Sequence, residues 1–336
     1  MASERIAWID WMKVLGISLI VYGHFFTVGY HYVYVFVVPL FFMLSGFLFK
    51  REANFVFFSK LWNNLVCPML IICVLNFVCG CVRALAEGTF ELWWVPRLFL
   101  NVLIGEHGGF VGVGICWFVY TLVLLKLIAQ YARGWLVNVF IMLLCLVVAC
   151  LHNKFDAFHT IPVLRGTSSI LNVAVAWPFF FIGMQFQRLR SHLCAVVSPW
   201  MLVAIGLFGC ILVWVSGHFN SVVWMNLCGY GDHLMLFLLG GVAGTVFVWS
   251  LAKLLSLCSG SSCPSFVDTI SRGTILILGF HLYLVEGVSN WVQQRTLMDG
   301  AFAVCIVLAF VPIIRLCERF FPLLLGQSRI KRNQRS

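Results

Sequence analysis

Apolar runs long enough to cross a bilayer follow one another along this chain, separated by short polar or glycine-rich breaks. They fall at about 11–29, 32–49, 62–82, 114–131, 135–151, 169–187, 199–216, 234–254, 273–293 and 301–325. A hydrocarbon core about 30 Å thick takes about 20 helical residues to span. The runs lack the residue-by-residue alternation of barrel strands, so helices rather than a β-barrel are expected. The pattern predicts an all-α, polytopic membrane bundle of about ten transmembrane helices.

The first run breaks its own pattern. Ala7 to Tyr30 reads AWIDWMKVLGISLIVYGHFFTVGY and carries Asp10, Lys13 and His24 among apolar residues. At about 100° per residue, Lys13 and His24 differ by roughly 20° around the helix axis, and Asp10 lies within about 40° of His24. The three share one face, with His24 about 16 Å beyond Lys13. An ionisable group at membrane depth marks function by default. Plainer roles stand beside that reading: Lys13 as an anchor reaching for the interface, His24 as a hydrogen-bonding group between helices.

Composition supports a membrane protein. The 336 residues are 62% hydrophobic and 10% charged, with a mean hydropathy of +1.00. A net charge of +10 would point to nucleic acid in a soluble protein; here the positive-inside rule accounts for it. With the N-terminus inside, seventeen of the 22 Lys and Arg residues fall on the cytoplasmic side and five outside. Both termini are therefore expected in the cytoplasm. Asp10 and Lys13 inside the first run, and no small-residue cleavage pattern after it, exclude a cleaved signal. A single membrane domain is expected over 1–326, followed by a basic cytoplasmic tail at 327–336 that touches anionic lipid.

Most of the 14 cysteines lie within the apolar runs, where they act as small apolar residues. Cys258 and Cys263 sit in the loop SLCSGSSCPS without a His or further Cys at zinc spacing, so no metal site is expected. No glycine-rich nucleotide loop is present. The long connection 83–113 contains FELWWVPRLFLNVL, which suits an amphipathic stretch lying on the membrane. Glu106 and His107 then precede GGFVGVG and Trp117. Trp93, Trp94 and Trp117 suit either an interfacial belt or stacking on sugar rings. Asp232-His233 reads as a helix N-cap.

Six elements, taken in order, resemble the membrane acyltransferase 3 family. They are Lys13 through His24, a basic residue and a histidine with ten residues between; Pro39-Leu-Phe-Phe-Met-Leu-Ser-Gly46; and Phe58 to Pro68. Cys116-Trp-Phe118, Trp177-Pro-Phe-Phe-Phe-Ile-Gly183 and the segment Ile270 to His281 complete the set. Relatives carry two basic residues four apart before the proline of the third element; this chain has Lys60 and Asn64 there. The resemblance covers essentially the whole chain and is nearest to single-domain members that modify polysaccharide or lipid-linked sugars. It implies an O-acyltransferase of the bacterial cytoplasmic membrane, moving an acyl group, usually acetyl, from acetyl-CoA to a glycan or lipid-linked sugar hydroxyl. No permanently bound cofactor is implied; acyl-CoA is a co-substrate, and the acceptor and the lipid bilayer are the other partners.

For that reaction His24 suits the general base, since an imidazole titrates near neutrality. Lys13 would meet the phosphates of the donor, with Asp10 behind it holding the cation in place. Lys60 and Asn64 are donor-binding positions by resemblance, although Lys60 equally suits a topology charge and Asn64 supplies no charge. Ser45, Glu106, Trp117 and His281 are candidates for the acceptor or the site lining; Ser45-Gly46 equally suits close helix packing. A transporter or flippase also has about ten helices and buried charge. It would show matching broken helices in both halves, and the second half has no counterpart of the first run.

Overall fold

The computed structural model describes residues 6–104, 114–155, 168–259, 263–292, 296 and 298–326. The described residues form helices: α1 (Ala7–Gly23), α2 (Tyr30–Phe47), α3 (Asn54–Leu61), α4 (Cys67–Glu87), α5 (Trp94–Ile104), α6 (Cys116–Tyr131), α7 (Trp135–Phe155), α8 (Ser168–Val196), α9 (Pro199–His218), α10 (Leu234–Cys258), α11 (Ser265–Arg272), α12 (Thr274–Trp291) and α13 (Asp299–Phe320). A π-helical turn, Trp62–Val66, joins α3 to α4 without a break. The only β-type pairing among the described residues is an isolated bridge between Trp224 and Gly229.

Helices occupy all ten apolar segments read from the sequence. Seven of the helical segments are long and apolar enough to cross a membrane: α2, the continuous α3–α4 segment, α7, α8, α9, α10 and α13. Their outward faces suit a lipid medium. Along α7, Leu136, Phe140, Leu144, Val147 and Leu151 are exposed at spacings of three and four residues, an apolar stripe suited to lipid. Along α9, Val203, Leu207, Ile211 and Trp214 do the same.

Glycines set how closely the helices approach. A Cβ on Gly46 would stand 2.0 Å from the Phe180 carbonyl oxygen, and one on Gly183 would stand 2.0 Å from the Met43 carbonyl oxygen. These reciprocal contacts press α2 against α8 backbone to backbone, the small-residue packing expected where lipid gives helices little hydrophobic reason to associate. On α10, Gly244 takes the Phe36 side chain of α2 and Gly209 of α9 meets the Ala243 carbonyl. Trp177, Phe179, Phe180 and Phe237 fill the space between, all fully buried.

The chain departs from the sequence reading at the end of the first helix. The apolar run 11–29 suggested one long span with His24 in its middle. Instead α1 ends at Gly23, His24 is its C-cap residue, and the chain turns back through Phe26 and Gly29, both with positive φ, into α2. The turn is as apolar as the helix it ends, so hydropathy alone does not register it. Asp232-His233 is also not a side-chain cap: His233 begins α10 without a capping hydrogen bond from its side chain. Its N–H instead donates to Asn220 Oδ1 at 2.8 Å.

Candidate active site

A cavity of about 1610 Å³ runs through the bundle, walled by α1, α2, the π-helical turn, α4, α6, α12 and the loop around Trp224. Asp10, Lys13, Ile17, Ile20 and His24 of α1 all line it. The shared face inferred from helical spacing is thus one wall of an internal space. From Lys13 to His24 that wall measures about 16 Å at about 1.5 Å rise per residue.

At the Lys13 end, the Ser271 hydroxyl donates to Asp10 Oδ1, and Asp10 is buried. This links the start of α1 to α11. Arg272 also lines this end and is ion-paired with Asp268 at 2.7 Å and with Glu318 of α13 at 2.5 Å. Ser45, Asn64 and Lys126 face the same cavity.

At the other end of the α1 stripe two imidazoles meet. The His24 and His281 ring centroids are 4.9 Å apart. His281 is 2% exposed, and its Nδ1 lies 2.9 Å from the Ile277 carbonyl and 3.1 Å from the Leu278 carbonyl. Nδ1 must carry the proton to donate to either carbonyl, which leaves Nε2 of a neutral ring with a free lone pair. Nε2 has no hydrogen-bond partner among the described residues. A buried acceptor left without a partner costs stability, and both histidines line the cavity. Phe26 and Tyr34 stand edge-on to His24, with centroids 6.3 and 6.2 Å away. The Tyr34 hydroxyl donates to the Gly23 carbonyl at 3.2 Å, fixing the ring beside the helix end.

The cavity is also lined by Trp94, Trp224, Asn226 and an ion-paired group on α4 and α12. Arg83 donates to Glu87 at 2.9 Å and to Glu286 at 2.8 Å. The loop bearing Trp224 is held to α8 by Asn172 Nδ2, which donates to the Met225 carbonyl at 2.7 Å.

The remaining candidates divide. Trp117 lines the cavity and is buried. Lys60 does not line it; this lysine is half-exposed and paired with Glu52. Trp93 is exposed, with its indole N–H on Glu91 and the Arg97 guanidinium over its ring at 4.9 Å. Glu106, His107 and the glycine-rich stretch after them lie outside the described residues, as does the basic tail. Cys258 and Cys263 belong to no metal-binding group among the described residues. Ser271, Lys126 and the Arg83–Glu286 pair also line the cavity and are not among the candidates read from the sequence. Lys126, in the run VLLKLIAQ, did carry a signal: it is a charge inside an apolar helix.

The fold and cavity together define a polytopic helical membrane protein with an internal chamber whose largely apolar lining carries a few ionisable groups. The family model described as an acyltransferase domain, Acyl_transf_3, matches residues 6–316. The chain belongs to this family and is a membrane acyltransferase. No curated protein and no solved structure matches it.

Proposed function

We propose that the protein is an O-acyltransferase that takes an acyl group, acetyl in the first instance, from cytoplasmic acyl-CoA. The acceptor is a hydroxyl of a cell-surface glycan or lipid-linked sugar at the outer face of the bacterial cytoplasmic membrane. The observation that carries this reading is the single cavity that joins a cationic end at Lys13 to a histidine pair at His24 and His281. The cation bias expected for ten spans with both termini inside supports placing the Lys13 end at the cytoplasm.

In this reading the donor's phosphates rest near Lys13 and its extended pantetheine arm follows α1 toward His24, which lies about 16 Å further along. The acceptor enters from the Trp94 and Trp224 end, where indole faces and the Glu286 and Glu87 carboxylates suit a polyhydroxylated ring. His24 takes the acceptor's hydroxyl proton as the oxygen attacks the thioester carbonyl. The carbon–sulfur bond breaks and the departing thiolate recovers that proton from the imidazolium, returning His24 to its neutral form. His281, its tautomer set by the Ile277 and Leu278 carbonyls, keeps an acceptor nitrogen in the same space and orients the nucleophile. Asp10 and Ser271 position the start of α1 and with it Lys13.

Mass spectrometry of surface glycans from cells with and without the protein tests the reading. Loss of an acetyl-sized mass from the glycan repeat in cells lacking the protein is expected. Glycans of identical mass in both, together with no acetyl-CoA-dependent release of CoA by membranes given acceptor, would overturn it.

A further inference from the structure

Lys126 is a charge that the histidine chemistry does not use. It lies on α6 among fully buried neighbours, with Leu122, Leu125 and Ala129 all 5% exposed or less, and it lines the cavity. Its depth is fixed by the end of its helix. Arg51 Nε donates to the Ala129 carbonyl at 3.0 Å and Gln130 Nε2 to the Glu52 carbonyl at 2.6 Å. These bonds tie the last turn of α6 to the segment that leaves α2, just beyond Ser45 and Leu48, which line the same cavity. Lys126 stands one turn inside that tie, at the Lys13 end.

No carboxylate among the described residues forms an ion pair with it. Glu52, close enough to act on Lys126 electrostatically, is engaged by Lys60. Arg272, the other cation of this end, already has Asp268 and Glu318. Asn64 brings an amide to the same cavity but no charge. A lysine serving only as a topology charge would extend toward the membrane surface; this one faces an internal chamber. Ionisable groups so placed mark substrate or ion paths, and a lysine ammonium binds phosphate as a point charge.

We infer that Lys126 and Lys13, which line the same cavity from α6 and α1, form a two-cation site for the diphosphate of the acyl-CoA donor. This rests on the donor reading above. The site places the donor's anionic part between α1 and α6 and leaves its uncharged arm to run toward the histidines. Lys126 thereby selects the donor by its phosphates and has no part in the acyl-transfer step.

The test uses purified full-length protein in nanodiscs of neutral phosphatidylcholine, with acetyl-CoA compared against acetyl-pantetheine, which lacks the diphosphate. Lys126→Gln should raise KM for acetyl-CoA by about tenfold or more, as loss of a charged hydrogen bond implies. KM for acetyl-pantetheine and kcat should stay as in the wild type, and Lys126→Arg should recover most of the loss. Lys126→Met serves the same comparison where the glutamine variant folds poorly. Inorganic pyrophosphate should compete with acetyl-CoA in the wild type and much less in the variant. An equal change for both donors, or no change for either, would overturn the inference. Competition by added phosphatidylglycerol that Lys126→Gln abolishes would also overturn it, assigning the site to a lipid headgroup. Wild-type protein that uses neither donor but binds pyrophosphate through Lys126 would sink the acyl-CoA reading and leave the anion site standing.

Discussion

Two halves of the bundle are built by different rules. The half made of α2, α8, α9 and α10 is joined through glycines, with backbone against backbone at Gly46 and Gly183 and a phenylalanine side chain seated on Gly244. Two clusters of buried aromatic and aliphatic side chains fill much of its interior. The half made of α1, α4, α11, α12 and α13 is joined around a chamber, with buried polar contacts such as Ser271 on Asp10 and Asn76 Nδ2 on the Gly279 carbonyl at 3.0 Å. The chamber lies chiefly against the second half, with α2 of the first half closing one wall through Tyr34, Phe41 and Ser45. The glycine seams hold together the helices beside that chamber.

The comparison predicts that the two halves fail differently. The largest effect should come from Gly183→Val. Its side chain would overlap the Met43 carbonyl at the α2–α8 seam, and overpacking a tight contact costs about 1–3 kcal/mol or more. Detergent-extracted variant should show a lowered midpoint in thermal unfolding and reduced yield, with transfer lost because the fold is lost. His281→Asn should do the reverse. The protein should accumulate and melt as the wild type does, while acetyl transfer falls by about tenfold or more through loss of the positioned acceptor nitrogen.

Smaller effects test the Lys13 end. Lys13→Ala should raise KM for acetyl-CoA far more than Lys13→Arg, because arginine keeps the charge that phosphates need. Equal loss in the two variants would mean that shape rather than charge matters there. Ser271→Ala removes the hydroxyl that donates to buried Asp10. It should cost about 1 kcal/mol of stability and weaken donor use less than Lys13→Ala. Lys60→Ala should do least of all. Its pair with Glu52 is half-exposed, such pairs contribute about 0–1 kcal/mol, and the side chain does not reach the cavity.

The α1 stripe was legible in the sequence because three ionisable residues at helical spacing in an apolar run have a single geometric reading. Ser45, Asn64, Trp117 and His281 also line the cavity. The pairing of His24 with His281 was not legible, since the two are brought together only by packing of α1 against α12. The end of α1 was hidden by the apolar turn that follows it. Asn64 lines the cavity and Lys60 does not, for a local reason. Four residues apart, they would share one face of a regular α-helix. The π-helical turn that begins at Trp62 shifts the register between them, turning Asn64 into the cavity and leaving Lys60 outside. Lys126 is not singled out by the sequence pattern, because one lysine in one helix has no second charged position to define a face.

The central claim is that His24, at the meeting of the two entrances, removes the proton in acyl transfer. The most direct measurement follows transfer from radiolabelled acetyl-CoA to glycan acceptor in membranes that contain equal amounts of wild-type protein and the His24→Ala variant. A fall of about 10²- to 10⁴-fold is expected in the variant, with unchanged thermal unfolding and unchanged binding of CoA. Transfer within a few-fold of the wild type, in a variant that folds and binds CoA normally, would contradict it.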